Sequence, residues 1–158
     1  MSLYLTVLGC SSATPTKMRH PSAFLLRSDR TKELMLIDCG EGTQIQLRRY
    51  NICMQKIAHV FISHLHGDHF LGLPGFILSQ NLLGRKNPLH IYAHRPLKKI
   101  IQQLLETDKT QLQYELIFHP LKAGKNILLE NNNIVVNSIP LDSKAVFKSF
   151  KITFQSTQ

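Results

Sequence analysis

Acidic residues are scarce in this 158-residue chain: 10 Asp and Glu stand against 19 Lys and Arg, a formal charge of +9. Such a balance favours polyanionic partners, nucleic acid among them. Long apolar runs are missing as well. None approaches the roughly 18–20 residues of a membrane span, and Met1-Ser2-Leu3-Tyr4 lacks the basic start of a signal peptide. Cysteine is sparse and odd in number. Cys10, Cys39 and Cys53 form no CxxC pair, which argues against a disulfide frame or a zinc knuckle and implies reduced, mostly buried thiols. A soluble, cytoplasmic protein with no membrane partner is the expectation. Repeats, low-complexity tracts and linkers are absent too, so 1–158 reads as one domain able to bury an ordinary core. With 43% hydrophobic and only 18% charged residues, the chain is not disordered as a whole.

The apolar patterning that is present predicts short elements. Residues 4–8 are a β-rich run closed by Gly9, and 10–21 are small, polar and Pro-punctuated, hence a loop. Strands are expected at 23–26 and 34–37 around a polar turn at Ser28-Asp29-Arg30. After a break at Asp38-Cys39-Gly40-Glu41-Gly42, residues 43–50 read as a helix. Residues 59–63 are nearly all apolar, the mark of a strand covered on both faces. A helix at 70–83, a strand at 89–93 and a helix at 97–105 follow. Later strands are expected near 114–118, 126–129, 134–139 and 150–154. This order implies α/β architecture, with sheet layers flanked by helices.

Between the apolar strand and the helix after it stands His64-Leu65-His66-Gly67-Asp68-His69. In an extended segment, positions i and i+2 project to one side, so His64 and His66 can converge on one ion. Gly67 permits the sharp turn that aims Asp68 and His69 at a second position nearby. Two metal ions about 3.5–4 Å apart clamp the attacking and leaving oxygens of a phosphodiester displacement. Imidazole and carboxylate donors together suit zinc, with manganese or iron also compatible. His20, His59, His90, His94 and His119 are scattered and read as ordinary residues.

The hexapeptide resembles the HxHxDH signature of the metallo-β-lactamase superfamily. Its setting, from Ile62 through Phe70-Leu71-Gly72-Leu73-Pro74-Gly75, is similar to the ribonuclease Z branch. So are Leu8-Gly9-Cys10-Ser11-Ser12-Ala13-Thr14-Pro15-Thr16, Pro21-Ser22-Ala23 and Ile37-Asp38-Cys39-Gly40-Glu41-Gly42-Thr43-Gln44. The resemblance covers about residues 3–142. It implies an αββα sandwich with a two-zinc site at one edge, and removal of the 3′ trailer from precursor tRNA by an endonucleolytic cut. By motif position, His64 and His66 hold one zinc, while Asp68 and His69 serve the other. Asp68 also handles the proton, and Asp38 lies beneath and orients the ligands. Lys17 and Arg19, in a loop that the motif order brings near the site, are expected to contact phosphate. Lys98, Lys99, Lys122, Lys125, Lys144, Lys148 and Lys151 are expected on solvated surface.

The sequence departs from the family in its ligand count. A catalytic zinc keeps about three protein ligands plus water, so two zincs need more than this hexapeptide. The family adds a histidine just after a Pro-Leu pair, then a bridging aspartate and a final histidine. Here Pro140-Leu141 leads to Asp142 and Ser143, with Ser143 where the first extra histidine is expected. After His119 there is no histidine, and Glu130 and Asp142 are the only carboxylates. The expectation is therefore a truncated sandwich lacking its second half, with residues 143–158 an atypical tail. Zinc occupancy is expected to be partial or absent, and activity in the chain alone weak or nil. Phe150, Ile152 and Phe154 alternate with polar residues, so an apolar face and an open sheet edge are expected to drive dimer formation. Two other readings stand beside the nuclease. One is a non-catalytic remnant that binds RNA or a full-length relative; the other is a superfamily hydrolase acting on thioesters or lactones.

Overall fold

The first three strands run antiparallel, and three parallel strands then extend the same sheet. The described residues are 2–29, 34–107, 109–141 and 148–154 of a computed structural model. Within them β1 (Leu3–Gly9), β2 (Ala23–Ser28) and β3 (Leu34–Ile37) form a meander. β4 (Ile57–Phe61), β5 (Leu89–Ala93) and β6 (Leu116–Pro120) add in parallel, giving the order β1-β2-β3-β4-β5-β6. Parallel neighbours require crossovers. Here these carry α1 (Thr43–Arg49), the short α2 (Gly67–Phe70) with α3 (Leu73–Leu82), and α4 (Arg95–Thr107). A second, antiparallel sheet contains β7 (Asn126–Glu130), β8 (Ile134–Pro140) and β9 (Lys148–Phe154).

Strand alternation divides the core into two. On one side of the large sheet, Leu36, Val60, Ile62 and Ile91 pack with Leu47, Phe76, Ile77, Leu97 and Ile101 of the helices. On the other, Met35, Phe61 and Tyr92 meet Ile134 and Val136 of the second sheet. β4, in the middle, is apolar toward both, and Val60 and Phe61 are wholly inaccessible. The described residues thus build three of the four expected layers: helices, sheet and sheet. Every helix among them precedes β6 in sequence.

Several expectations need correction. The helix expected at 70–83 is two helices, because the Gly72 N–H donates to the Cys39 carbonyl and Pro74, at the start of α3, has no N–H to continue the ladder; Gly72 also sits against the backbone of Gly40. A Cβ on Gly72 would lie 2.0 Å from the Gly40 carbonyl oxygen. The central strand ends at Phe61, which leaves Ser63 to His66 in a loop. Of the three thiols only Cys39 is buried, its pKa pushed up to about 12 by burial, while Cys10 and Cys53 lie exposed on loop residues flanking the elements. The apolar face of β9 is not left open, since Phe150 and Ile152 pack on the inter-sheet core and the Phe150 ring lies 5.5 Å from that of Phe61. Lys148 is buried, not solvated, because it enters β9 beneath the loop at Gly124; its Nζ donates to the Gly124 carbonyl at 3.2 Å. Asp142, Ser143 and Lys144 lie outside the described residues.

Three histidines distant in sequence are neighbours in the sheet. His59 of β4 stacks on His90 of β5 at 4.9 Å, and His90 Nδ1 lies 2.9 Å from Nε2 of His119 on β6. Tyr92 stacks on His119 at 4.4 Å, and its hydroxyl is 3.3 Å from His59 Nδ1. Burial, then the charges of His90, His119 and Arg85, push His59 down to about 4. Because the unfolded chain takes up this proton near pH 6.5, stability is full above that pH and falls as pH drops toward 4. Urea unfolding at steps from pH 7 to pH 4 is expected to show a loss of up to about 3 kcal/mol from this residue. His59→Phe should flatten the decline across that window.

Candidate metal centre

The residue after β3 organises the site. Asp38 is buried and holds left-handed backbone geometry at φ 57°, with its N–H donating to the Phe61 carbonyl at 2.8 Å. Oδ1 accepts from the Ser63 N–H at 2.9 Å and the Ser63 hydroxyl at 2.8 Å. Oδ2 accepts from the Ser22 hydroxyl at 3.0 Å and from His69 Nδ1 at 2.6 Å. A carboxylate offers about four lone-pair directions, and these four donors use them. One buried anion therefore ties the approach to β2, the loop after β4, and α2.

These contacts fix the imidazole tautomers. His69 donates through Nδ1, so in the neutral ring Nε2 carries the lone pair, and Nε2 lies 3.6 Å from Asp68 Oδ2. Ser63 gives its one proton to Asp38 and so accepts from His64 Nδ1 at 3.0 Å. That assignment follows from the network and again puts the ring's lone pair on Nε2. The His64 ring centroid is 3.9 Å from that of His69 and 4.7 Å from that of His66. His64, Asp68 and His69 are half-buried, and His66 is exposed.

Backbone bonds hold this cluster in place. Cys39 N–H donates to the His69 carbonyl, Gly72 N–H to Cys39, and Gly40 N–H to Ser22. Gly40 is packed so tightly that a Cβ would meet the Asp68 carbonyl oxygen at 2.5 Å. Asp68 Oδ2 accepts from the Ala13 N–H at 3.0 Å, which brings the loop at 10–21 to the site. Burial works against the Asp68 charge, but the Ala13 bond and the positive charge of His69 outweigh it and hold the carboxyl below its usual range. The Asp38 bond raises His69, while burial and then the charges of His69 and His66 lower His64.

The donor types suit a divalent metal: imidazoles and a carboxylate at the rim, with a carboxylate and a serine bracing the rings from behind. The number falls short. Among the described residues no group of three or more His, Cys, Asp or Glu side chains is arranged to hold one ion. The convergent pair is Asp68 Oδ2 with His69 Nε2. Ser143, the position of the expected further ligand, is outside the described residues. Lys17 and Arg19 are exposed on the loop that Ala13 anchors. Sequence reasoning passed over three positioning residues, Ser22, Ser63 and Ala13. For Ser63 the available signal was a hydroxyl directly after an apolar run.

Comparison with known proteins gives a family and a fold. A family model described as Anti-Pycsar protein Apyc1 matches residues 3–155. Ribonuclease Z of Porphyromonas gingivalis is 40% identical over 139 residues, covering 87% of this chain and 45% of that protein. The crystal structure of the short form of human tRNase Z superposes with a TM-score of 0.82 at 30% identity, covering 96% of this chain and 64% of that one. YhfI of Bacillus subtilis, a metallo-β-lactamase fold protein, gives 0.70 at 22% identity, covering 96% and 58%, a likeness of fold. The chain spans about half the length of the curated relatives it matches.

If Asp38 braces both the loop and the helix, Asp38→Asn should destabilise the protein by about 2 kcal/mol, since one acceptor becomes a donor facing other donors. Urea unfolding measures this. The downfield Nδ1 proton of His69 should weaken or vanish in the NMR spectrum of the same variant.

Proposed function

The chain belongs to the family described as Anti-Pycsar protein Apyc1, and from that membership and its likeness to ribonuclease Z we propose that it is part of a metal-dependent phosphodiesterase that cuts the 3′ trailer from precursor tRNA. The observation that carries this reading is the Asp38–His69 bond, with the other nitrogen of His69 turned to Asp68. A metal-ligating histidine nearly always donates its other ring N–H to such a partner. Asp68 and His69 would hold one metal ion and His64 and His66 would serve a second, and zinc suits this donor set. The metal supplies positive charge at the phosphate and eases deprotonation of water near neutral pH.

This chain's residues do the rest. Asp68, a carboxylate at neutral pH oriented by the Ala13 N–H, is assigned to accept the proton of the attacking water. Asp38 and Ser63 are positioning residues that hold the His69 and His64 rings. Lys17 and Arg19 sit on the loop anchored at Asp68 and are assigned to phosphate contact.

The described donors are too few for two zincs. In this reading the rest come from outside the described residues, from this chain or from a second copy meeting the outer edge of β9. The bond from Lys148 N–H to the Ser63 carbonyl, 3.2 Å long, supports that route by tying the start of β9 to the metal-site loop. The short ligand set also favours a second reading, a non-catalytic RNA-binding form.

Zinc content and precursor-tRNA cleavage separate the two. The purified chain is expected to take up fewer than two zincs and to cleave at or near background. His69→Ala should weaken zinc uptake at least tenfold. No zinc uptake at all would favour the RNA-binding form. Two tightly bound zincs with efficient cleavage by a monomer would contradict the ligand shortfall.

A further inference from the structure

A cavity of about 430 Å³ lies between α4 and β6, lined by Arg95, Lys98, Lys99 and Gln102 on one side and by Phe118 and Pro120 on the other. We propose that it is a subsite for single-stranded RNA, holding phosphates on the three cations and a base against Phe118 and Pro120. The inference rests on the RNA-directed reading above and extends it to a place on the surface that the metal centre does not include.

Residues 95, 98, 99 and 102 follow the i, i+3, i+4, i+7 spacing of one helical face. Leu97 and Ile101 bury another face in the core. Helix stability does not explain the cations. Positive side chains in a first turn oppose the helix dipole, and like charges three and four residues apart repel. The first turn carries no acidic residue, and no Asp or Glu lines the cavity. Arg95, Lys98 and Lys99 are exposed, and among the described residues none is in an ion pair. An anion from outside would relieve the arrangement.

The apolar wall narrows the choice of anion. Phe118 pairs with Ile91, so it and Pro120, two residues on, face the helix side of the sheet. An aromatic face beside phosphate-binding cations is the recurring platform for an unpaired base. Leu121 N–H donates to the Ala93 carbonyl at 3.0 Å and fixes this wall to the end of β5. That end is the same sheet edge at which β4 delivers Ser63 to His69, since Ile62 N–H donates to the Tyr92 carbonyl at 2.9 Å. At the usual strand spacing β4 and β6 are about 10 Å apart, so one extended RNA strand can touch the cavity and the metal centre together.

The test is fluorescence anisotropy with a labelled octauridylate, the full chain and no added metal. Lys98→Ala/Lys99→Ala is expected to weaken binding at least tenfold at low salt. Its log K against log salt should be shallower by about 1.4, two phosphate contacts on a single strand. Phe118→Leu should weaken binding several-fold and leave that slope alone. Lys122→Ala/Lys125→Ala, with the same change of charge at exposed residues off the cavity, should stay within twofold of the parent. Equal weakening by both lysine pairs, or no effect of either cavity variant, would overturn the proposal. So would full competition by inorganic phosphate at concentrations equal to that of the RNA phosphates. Zinc uptake, measured on the same variants, should be unchanged. A failure of the metal reading therefore shows in that assay alone, and a failure of the subsite in anisotropy alone.

Discussion

One buried carboxylate holds the functional edge of this protein together. An ionised Asp38 in the interior is costly unless its lone pairs are used, and it meets that condition only where Ser22, Ser63 and His69 arrive at once. The requirement links three stretches of chain: the approach to β2, the loop leaving β4, and α2. It also determines which nitrogen of each imidazole faces outward. Local backbone strain at Asp38, stability of the loop and orientation of the candidate ligands are thus one problem with one solution.

The large sheet keeps two groups of imidazoles apart. At the carboxyl ends of β4, β5 and β6 lie the polar residues that chemistry needs, as is usual for parallel strands. On the face toward the second sheet, His59 and His90 stack with Tyr92 and His119. Those rings share the imidazole chemistry of the metal centre but not its bracing carboxylates. Placement, not residue type, separates a pH-sensitive patch of core from a candidate catalytic centre.

Most of the fold was legible because the apolar runs are short and cleanly bounded. The apolar run through Val60-Phe61 reads as a doubly covered strand, and Gly9 and Asp38 mark real ends. The break at Gly72 was legible only in Pro74, which marks a helix start; the close approach to Gly40, 32 positions away in sequence, emerged only in the fold. The same holds for Lys148, whose burial depends on where β9 enters its sheet, and for His59, His90 and His119, which meet only once strand order and register are known. At the site, spacing alone brought out His64, His66, Asp68 and His69. The role of Asp38 came from family resemblance, and Ser63 and Ala13 emerged only in three dimensions, since their contacts are to the carboxylates of Asp38 and Asp68.

The central claim is that the Asp38-braced His69 and its neighbour Asp68 form a metal-holding pair. A zinc-soaked crystal measured on either side of the zinc absorption edge tests it most directly. An anomalous peak is expected within about 2.0–2.2 Å of both His69 Nε2 and Asp68 Oδ2. A peak confined to His90 and His119, or density showing His69 Nε2 bonded to a protein donor with no metal beside it, would contradict it.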